Sequence, residues 1–145
     1  MRARVPALSR QGRAQARATD ALFVGSDVEM ADQLVLVVDD DDANRFVLRE
    51  ILTDAGYRIA AVASPSEARE MVRGERPALV ILDGSSPAEK QHASDLAAEV
   101  PAIVVSAMPY IEHEAARLRA RAWLRKPFEI DDLLALVREH AAPAS

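Results

Sequence analysis

Four short stretches carry side chains able to hold a hard cation and an anionic oxygen group. Four aspartates, Asp39 to Asp42, follow the apolar run "LVLVV". Asp83 follows "ALVIL", Ser106 closes "AIVVS", and Lys126 precedes Pro127 and Phe128. Carboxylates gathered at one partly buried place repel by something on the order of several kcal/mol, so either their pKa values rise or a cation sits among them. Oxygen ligands with little else select Mg²⁺, which leaves coordination positions to water and phosphate oxygens. A carboxylate cluster, Mg²⁺, an ammonium and a hydroxyl are together the parts needed to move a phosphoryl group onto a carboxylate. The acceptor is held in line, and the metal, lysine and hydroxyl neutralise the equatorial oxygens. The lysine is informative because the chain has only Lys90 and Lys126 against 16 arginines. An ammonium is a compact point charge that reaches where the wider guanidinium does not.

For these residues to meet, the elements before them must end at one edge. "LVLVV" (34–38) is a continuous apolar run, as expected of a strand buried on both faces. "ANRFVLREILTDAG" then places Phe46, Val47, Leu48, Ile51, Leu52 and Ala55 on a broad helical stripe, with Gly56 where a helix C-terminus favours a left-handed residue. "YRIAAVA" (57–63) reads as the second strand. "SPSEAREMVRG" opens with Ser64 as N-cap, Pro65 at the first helical position and Glu67 completing a capping box, and Gly74 ends that helix. "ALVIL" (78–82) and "AIVVS" (102–106) are the third and fourth strands, with a short helix in "AEKQHASDLAAEV" between them. A helix around 110–119, a strand "AWL" (122–124) and an amphipathic helix in "EIDDLLALVREHA" complete the pattern. In that last helix Ile130, Leu133, Leu134, Leu136 and Val137 form the apolar face. Five βα repeats with short connections imply an α/β, doubly wound parallel sheet covered by helices on both faces, with its ligand site at the carboxyl ends of the strands.

"VLVVDDDDANR", "LVILDGSSP", "IVVSA" and "LRKPF", in that order over roughly residues 33–141, resemble the receiver domains of two-component response regulators. The resemblance implies a five-stranded, flavodoxin-like sheet of order 2-1-3-4-5 with about five helices, formed by residues 32–142. Carried over by position, Asp83 is the phosphoacceptor, Asp40 the direct Mg²⁺ ligand and Asp39 its partner, acting largely through water. The backbone carbonyl of Ser85 is the remaining protein ligand, and Lys126 binds the phosphoryl group. Ser106 contacts the phosphoryl and reports the switch, Ala107 controls access, and Trp123 stands at the position of the mobile switch aromatic. The implied function is that of a cytoplasmic, single-domain, Mg²⁺-dependent phosphoacceptor that is not itself a turnover enzyme. A sensor histidine kinase or histidine phosphotransfer protein would load it, and it would signal to a downstream protein by contact, without direct DNA or membrane binding.

The chain departs from that pattern in two intervals. Between Asp83 and Ser106 the usual Met-Pro-x-x-Asp-Gly loop is reduced to "SSPAEK", so the third helix should be short. Before the fifth strand, "RARAW" lacks the usual Gly-Ala, and Trp123 is bulkier than the expected Tyr or Phe. These departures motivate an alternative, a degenerate receiver that docks partners without phosphorylation. A haloacid-dehalogenase-type phosphatase also uses an aspartate after the first strand with Mg²⁺, but "DDDDAN" lacks its Thr or Val. A dinucleotide site would need a glycine fingerprint that the five glycines do not form. Asp41 and Asp42 read more simply as helix-start residues that favour the macrodipole. His92, His113 and His140 have no metal-ligand spacing and read as surface residues, while Phe46 and Phe128 read as core.

Composition agrees with one globular domain. The chain has 145 residues, no cysteine and a formal net charge of −5, so neither a disulfide framework nor a nucleic-acid-binding surface is indicated. No apolar run approaches a membrane span. The first 29 residues differ, with Arg2, Arg4, Arg10, Arg13 and Arg17 against Asp20, Asp27 and Glu29 and no periodic apolar spacing. Residues 1–31 are therefore expected to be a disordered extension, with "MADQLVLVV" running from Met30 into the first strand.

Overall fold

The computed structural model describes residues 33–83 and 87–141. Five parallel strands, β1 (Leu34–Asp39), β2 (Arg58–Val62), β3 (Leu79–Asp83), β4 (Ala102–Ser106) and β5 (Ala122–Arg125), form one sheet of order β2-β1-β3-β4-β5. Helices α1 (Asp42–Asp54), α2 (Pro65–Gly74), α3 (Lys90–Glu99), α4 (Ile111–Leu118) and α5 (Ile130–His140) connect and cover them. This is the doubly wound arrangement expected from the repeats. The third helix has 10 residues and is entered through a single 3₁₀ turn, Pro87–Glu89. The expected extension over 1–31 lies outside the described residues.

Alternation along the strands builds two cores. Val35 and Val37, Leu79 and Ile81, Ile103 and Val105, and Leu124 face α1 and α5, where they meet Leu48, Leu52, Leu133, Leu136 and Val137. Leu36 and Val38, Val80 and Leu82, and Val104 face the other way, toward Ala68 of α2, Leu96 of α3 and Ile111 and Leu118 of α4. Each such aliphatic side chain contributes about 1.5–3 kcal/mol by leaving water. Burial on both faces is why the strands read as unbroken apolar runs.

The ends of the helices follow the local sequence. Asp41 is the N-cap of α1, its carboxylate accepting from the Asn44 amide at 3.0 Å, and Asp42 is the first helical residue. Ser64 caps α2 by accepting from the Glu67 amide at 3.3 Å. Gly56 takes φ +100 just after α1, a conformation that only glycine adopts freely. α4 closes on Arg119, a non-glycine residue at φ 56, with the amide of Ala120 donating to the Ala115 carbonyl at 2.9 Å. The left-handed turn is therefore kept although the glycine is absent.

Three packing expectations fail. Phe46 is 63% exposed and Val47 51%, because Leu48 and Leu52, one helical turn apart, already fill the face of α1 that meets the sheet. Ile130, at the first position of α5, is 52% exposed, since the buried stripe of that helix begins at Asp132 and Leu133. The histidines are also less alike than expected. His113 is exposed, but the His92 ring lies 3.1 Å from Arg69 and the His140 side chain is only 15% exposed. Phe128 does pack against the α1/α5 core.

Candidate functional site

Asp39 and Asp83 are the last residues of adjacent strands and stand opposite each other in register. By the two-residue period both side chains point to the α1/α5 face, and Lys126, two residues beyond Leu124 of β5, shares that face. The Lys126 ammonium reaches across to form an ion pair with Asp83 Oδ2. Asp39 is 2% exposed. Its Oδ1 accepts from the Asp41 amide at 2.9 Å, while its Oδ2 is buried with no hydrogen-bond partner. Burial, followed by the neighbouring Asp39, pushes the Asp83 carboxyl up to about 7, with the Lys126 ammonium pulling it back down. The Asp39 oxygen that lacks a donor and the raised Asp83 carboxyl have the same origin, two carboxyl groups set side by side at adjacent strand ends.

Asp40 is placed differently. It follows β1, is exposed, and does not close a cage with the other two. Among the described residues no group of three His, Cys, Asp or Glu side chains is arranged to hold a metal ion. Ser85, expected to lend its backbone carbonyl, lies outside the described residues. The residues that are described still suit a hard cation. One buried carboxylate oxygen lacks a partner, a second carboxylate is raised beside it, and a third stands open to solvent next in sequence. Such a donor set suits an ion that keeps much of its water shell.

Ser106 ends β4, 3% exposed, and belongs to the opposite parity. It lines up with Arg125 across β4 and β5, and its Oγ accepts from the Met108 amide at 3.0 Å rather than meeting Asp83. Trp123, also of that parity, packs half-buried against the α2/α3/α4 core, with the Arg125 guanidinium 5.7 Å from its ring centroid. Arg125 donates to the Met108 carbonyl at 2.6 Å. Sequence reasoning missed Arg125. The spacing puts it on Trp123's side of the strand, but its bond to the β4–α4 loop has no signature in the sequence. Ala107 is exposed and borders a cleft of about 390 Å³ lined also by Asn44, Val47, Leu48, Lys126, Pro127 and Phe128. The structure thus brings Asp39, Asp83 and Lys126 together, with Ala107 beside them. Trp123 packs on the other face of the sheet, and the Ser106 hydroxyl, at the end of β4, is turned to the Met108 amide.

The family of response regulator receiver domains matches residues 35–138, well over half of the chain, and the chain belongs to that family. It is 33% identical over 111 residues to the response regulator MprA of Mycobacterium ulcerans (strain Agy99), an alignment covering 72% of this chain and 48% of that protein. The chain therefore spans about half the length of the curated relatives it matches. Among solved structures it is similar to a response regulator receiver protein from Burkholderia phymatum, with 27% identity and TM-score 0.69. That alignment covers 79% of this chain and 98% of the other. It is also similar to the Vibrio cholerae chemotaxis protein CheY4, with 25% identity, TM-score 0.66 and coverage of 74% and 98%. No helix among the described residues is long and apolar enough to cross a membrane.

Proposed function

We propose that Asp83 accepts a phosphoryl group from the phosphohistidine of a sensor kinase or histidine phosphotransfer protein and holds it as an acyl phosphate. The observation that carries this reading is the facing pair Asp39 and Asp83 with Lys126 on Asp83. An Asp83 oxygen attacks phosphorus as the bond to the donor imidazole nitrogen breaks, and the freed imidazole keeps that electron pair. Attack needs the ionised carboxylate, which burial alone disfavours. Lys126 already sits on Oδ2, leaving Oδ1 as the nucleophile, and its ammonium can follow the incoming charge onto a phosphoryl oxygen. Asp39, Asp40 and Asp83, with the Ser85 carbonyl, would hold Mg²⁺, which when bound neutralises charge on the carboxylates and the transferring group. Ser106, released from the Met108 amide, would donate its hydroxyl to the phosphoryl and report the change toward Trp123.

A donor protein also needs a place to sit. Phe46, Val47 and Ile130 are exposed apolar side chains, and Val47 lines the cleft that opens beside Lys126. An apolar helical face carrying the phosphohistidine would find exposed apolar side chains on α1 and at the start of α5, which supports a protein donor. The test is incubation with acetyl phosphate, or with a cognate kinase, and Mg²⁺. The expected product is an acid-stable, hydroxylamine-labile adduct lost in Asp83→Asn. No adduct with either donor refutes the reading and leaves phosphorylation-independent docking.

A further inference from the structure

Between the end of β4 and the start of α4 the chain is held through one residue. The Met108 amide donates to Ser106 Oγ at 3.0 Å. The Met108 carbonyl accepts from Arg125 at 2.6 Å and, more loosely, from the Ile111 amide at 3.3 Å. Ile111 is fully buried at the first turn of α4, so this carbonyl also meets the start of that helix. The guanidinium that grips it lies over the Trp123 ring, and its own backbone is paired with Ser106 across β4 and β5. One side chain therefore bridges the hydroxyl strand, the following loop and the indole.

We infer that Arg125 is a positioning residue that latches the 107–110 loop and the Trp123 indole to the Ser106 end of β4. Through this latch, displacement of the Ser106 hydroxyl is resisted and is passed to α4 and Trp123 as one movement. The switching half of this inference rests on the phosphoacceptor reading above. The physical basis is that moving Ser106 Oγ toward Asp83 takes the acceptor from the Met108 amide. Re-aiming that amide changes the backbone torsions at Met108, whose carbonyl, on the next peptide unit, is held by Arg125 through a charge-assisted, partly buried bond that resists the change. A guanidinium bonded to the Met108 carbonyl and held within cation–π range of the indole ties the two together, so a shift of the loop either carries the guanidinium over the ring or breaks the bond. Arg125 thus stabilises the unloaded state and sets how much of any change at Ser106 reaches the surface.

The test compares the full chain with Arg125→Ala and Arg125→Lys. Amide hydrogen exchange is read at Met108 and Ile111 without any phosphoryl donor, and the half-saturating concentration of beryllofluoride with Mg²⁺ is read from amide spectra. In Arg125→Ala the exchange should rise and beryllofluoride should bind more tightly, each by about tenfold or more, the scale of one charge-assisted hydrogen bond. Arg125→Lys should fall between, keeping a cation over the indole without the fork. A variant that melts lower yet shows unchanged exchange and unchanged half-saturation makes Arg125 a structural residue only and overturns the inference. A wild-type chain that takes no beryllofluoride overturns the phosphoacceptor reading and the switching half with it. The latch is then judged by exchange alone, and unchanged Met108 protection overturns it.

Discussion

Removing one charge from the site should make the metal-free protein more stable, and Asp83→Asn is the substitution that does so. Asp83 is pushed from its ordinary 3.8 up to about 7 in the folded chain, by burial first and by Asp39 second. Between those two values the folded state holds a proton that the unfolded chain releases. Stability from this group is therefore complete below 3.8 and is lost as pH rises through about 7. At about 1.36 kcal/mol per pKa unit the full shift would correspond to about 4 kcal/mol. The carboxylate is not sealed from solvent and salt, so a value of about 1–2 kcal/mol is the working expectation. The side-chain amide introduced by this change can also donate to the buried Asp39 oxygen that lacks a partner in the wild type. For a domain of this size, about 1–2 kcal/mol corresponds to a rise in Tm of very roughly 4–15 °C. The assay is thermal melting of both proteins in chelator at pH 7.5 and again near pH 3.5. The gain should appear at the first pH and largely vanish at the second, because the wild-type carboxyl is then neutral in the folded state and mostly neutral in the unfolded one. Adding Mg²⁺ at pH 7.5 should narrow the gap by stabilising the wild type. A variant less stable than wild type at pH 7.5, or one whose gain is the same at both pH values, refutes the account of Asp39 and Asp83 as a strained pair.

Three other substitutions separate roles that neighbouring residues might share. Asp41→Ala should cost about 1 kcal/mol in urea melts through loss of the α1 cap, yet leave Mg²⁺ affinity within about twofold. A large loss of affinity would place Asp41 in the metal site. Arg119→Gly should raise stability by about 0.5–1 kcal/mol, because the residue holds φ 56 at an exposed position where glycine has no Cβ penalty. Equal or lower stability would mean that the Arg119 side chain makes a compensating contact. Phe46→Ala should change stability by no more than about 0.5 kcal/mol, since the ring is in solvent. It should slow transfer from a protein donor while leaving labelling by acetyl phosphate unchanged, and equal slowing with both donors would count against the apolar patch as a docking surface.

What can be read in the sequence is set by periodicity. Runs such as "LVLVV" and "ALVIL" can satisfy only a strand with apolar neighbours on both sides. Their alternation with capped helices leaves almost no choice of topology, and the residues just past each run then fall at one edge. The same two-residue period also puts Asp39, Asp83 and Lys126 on one face and Ser106, Trp123 and Arg125 on the other, a division the strand-end positions alone do not express. Helical spacing is less informative. In "NRFVLREIL" almost every apolar residue fits a broad stripe, and only the packed sheet shows that Leu48 and Leu52 fill the face while Phe46 stays outside. The missing glycine before β5 suggests an altered turn. Arg119 nevertheless takes the left-handed conformation, because the carbonyls at the end of α4 still need donors and the chain must turn back to the sheet.

The two faces of the sheet edge divide the problem the site has to solve. On the α1/α5 side the charge is out of balance: the Lys126 ammonium pairs with Asp83 alone, and a buried oxygen of the neighbouring Asp39 is left without a hydrogen-bond partner. That imbalance costs stability in the free protein, and under the proposed function it is what a bound cation and phosphoryl group would relieve. On the other side the polar groups described are paired. The Ser106 hydroxyl, the Met108 peptide, Arg125 and Trp123 are mutually satisfied. Binding on the first face can therefore supply free energy, and the second face can absorb a defined amount before it rearranges. If Asp83 is loaded as proposed, the gap between those two quantities would fix how completely the loop before α4 follows. Weakening the latch at Arg125 and relieving the strain at Asp83 are the two independent ways to alter that gap, which is why Asp83→Asn and Arg125→Ala should act on different observables.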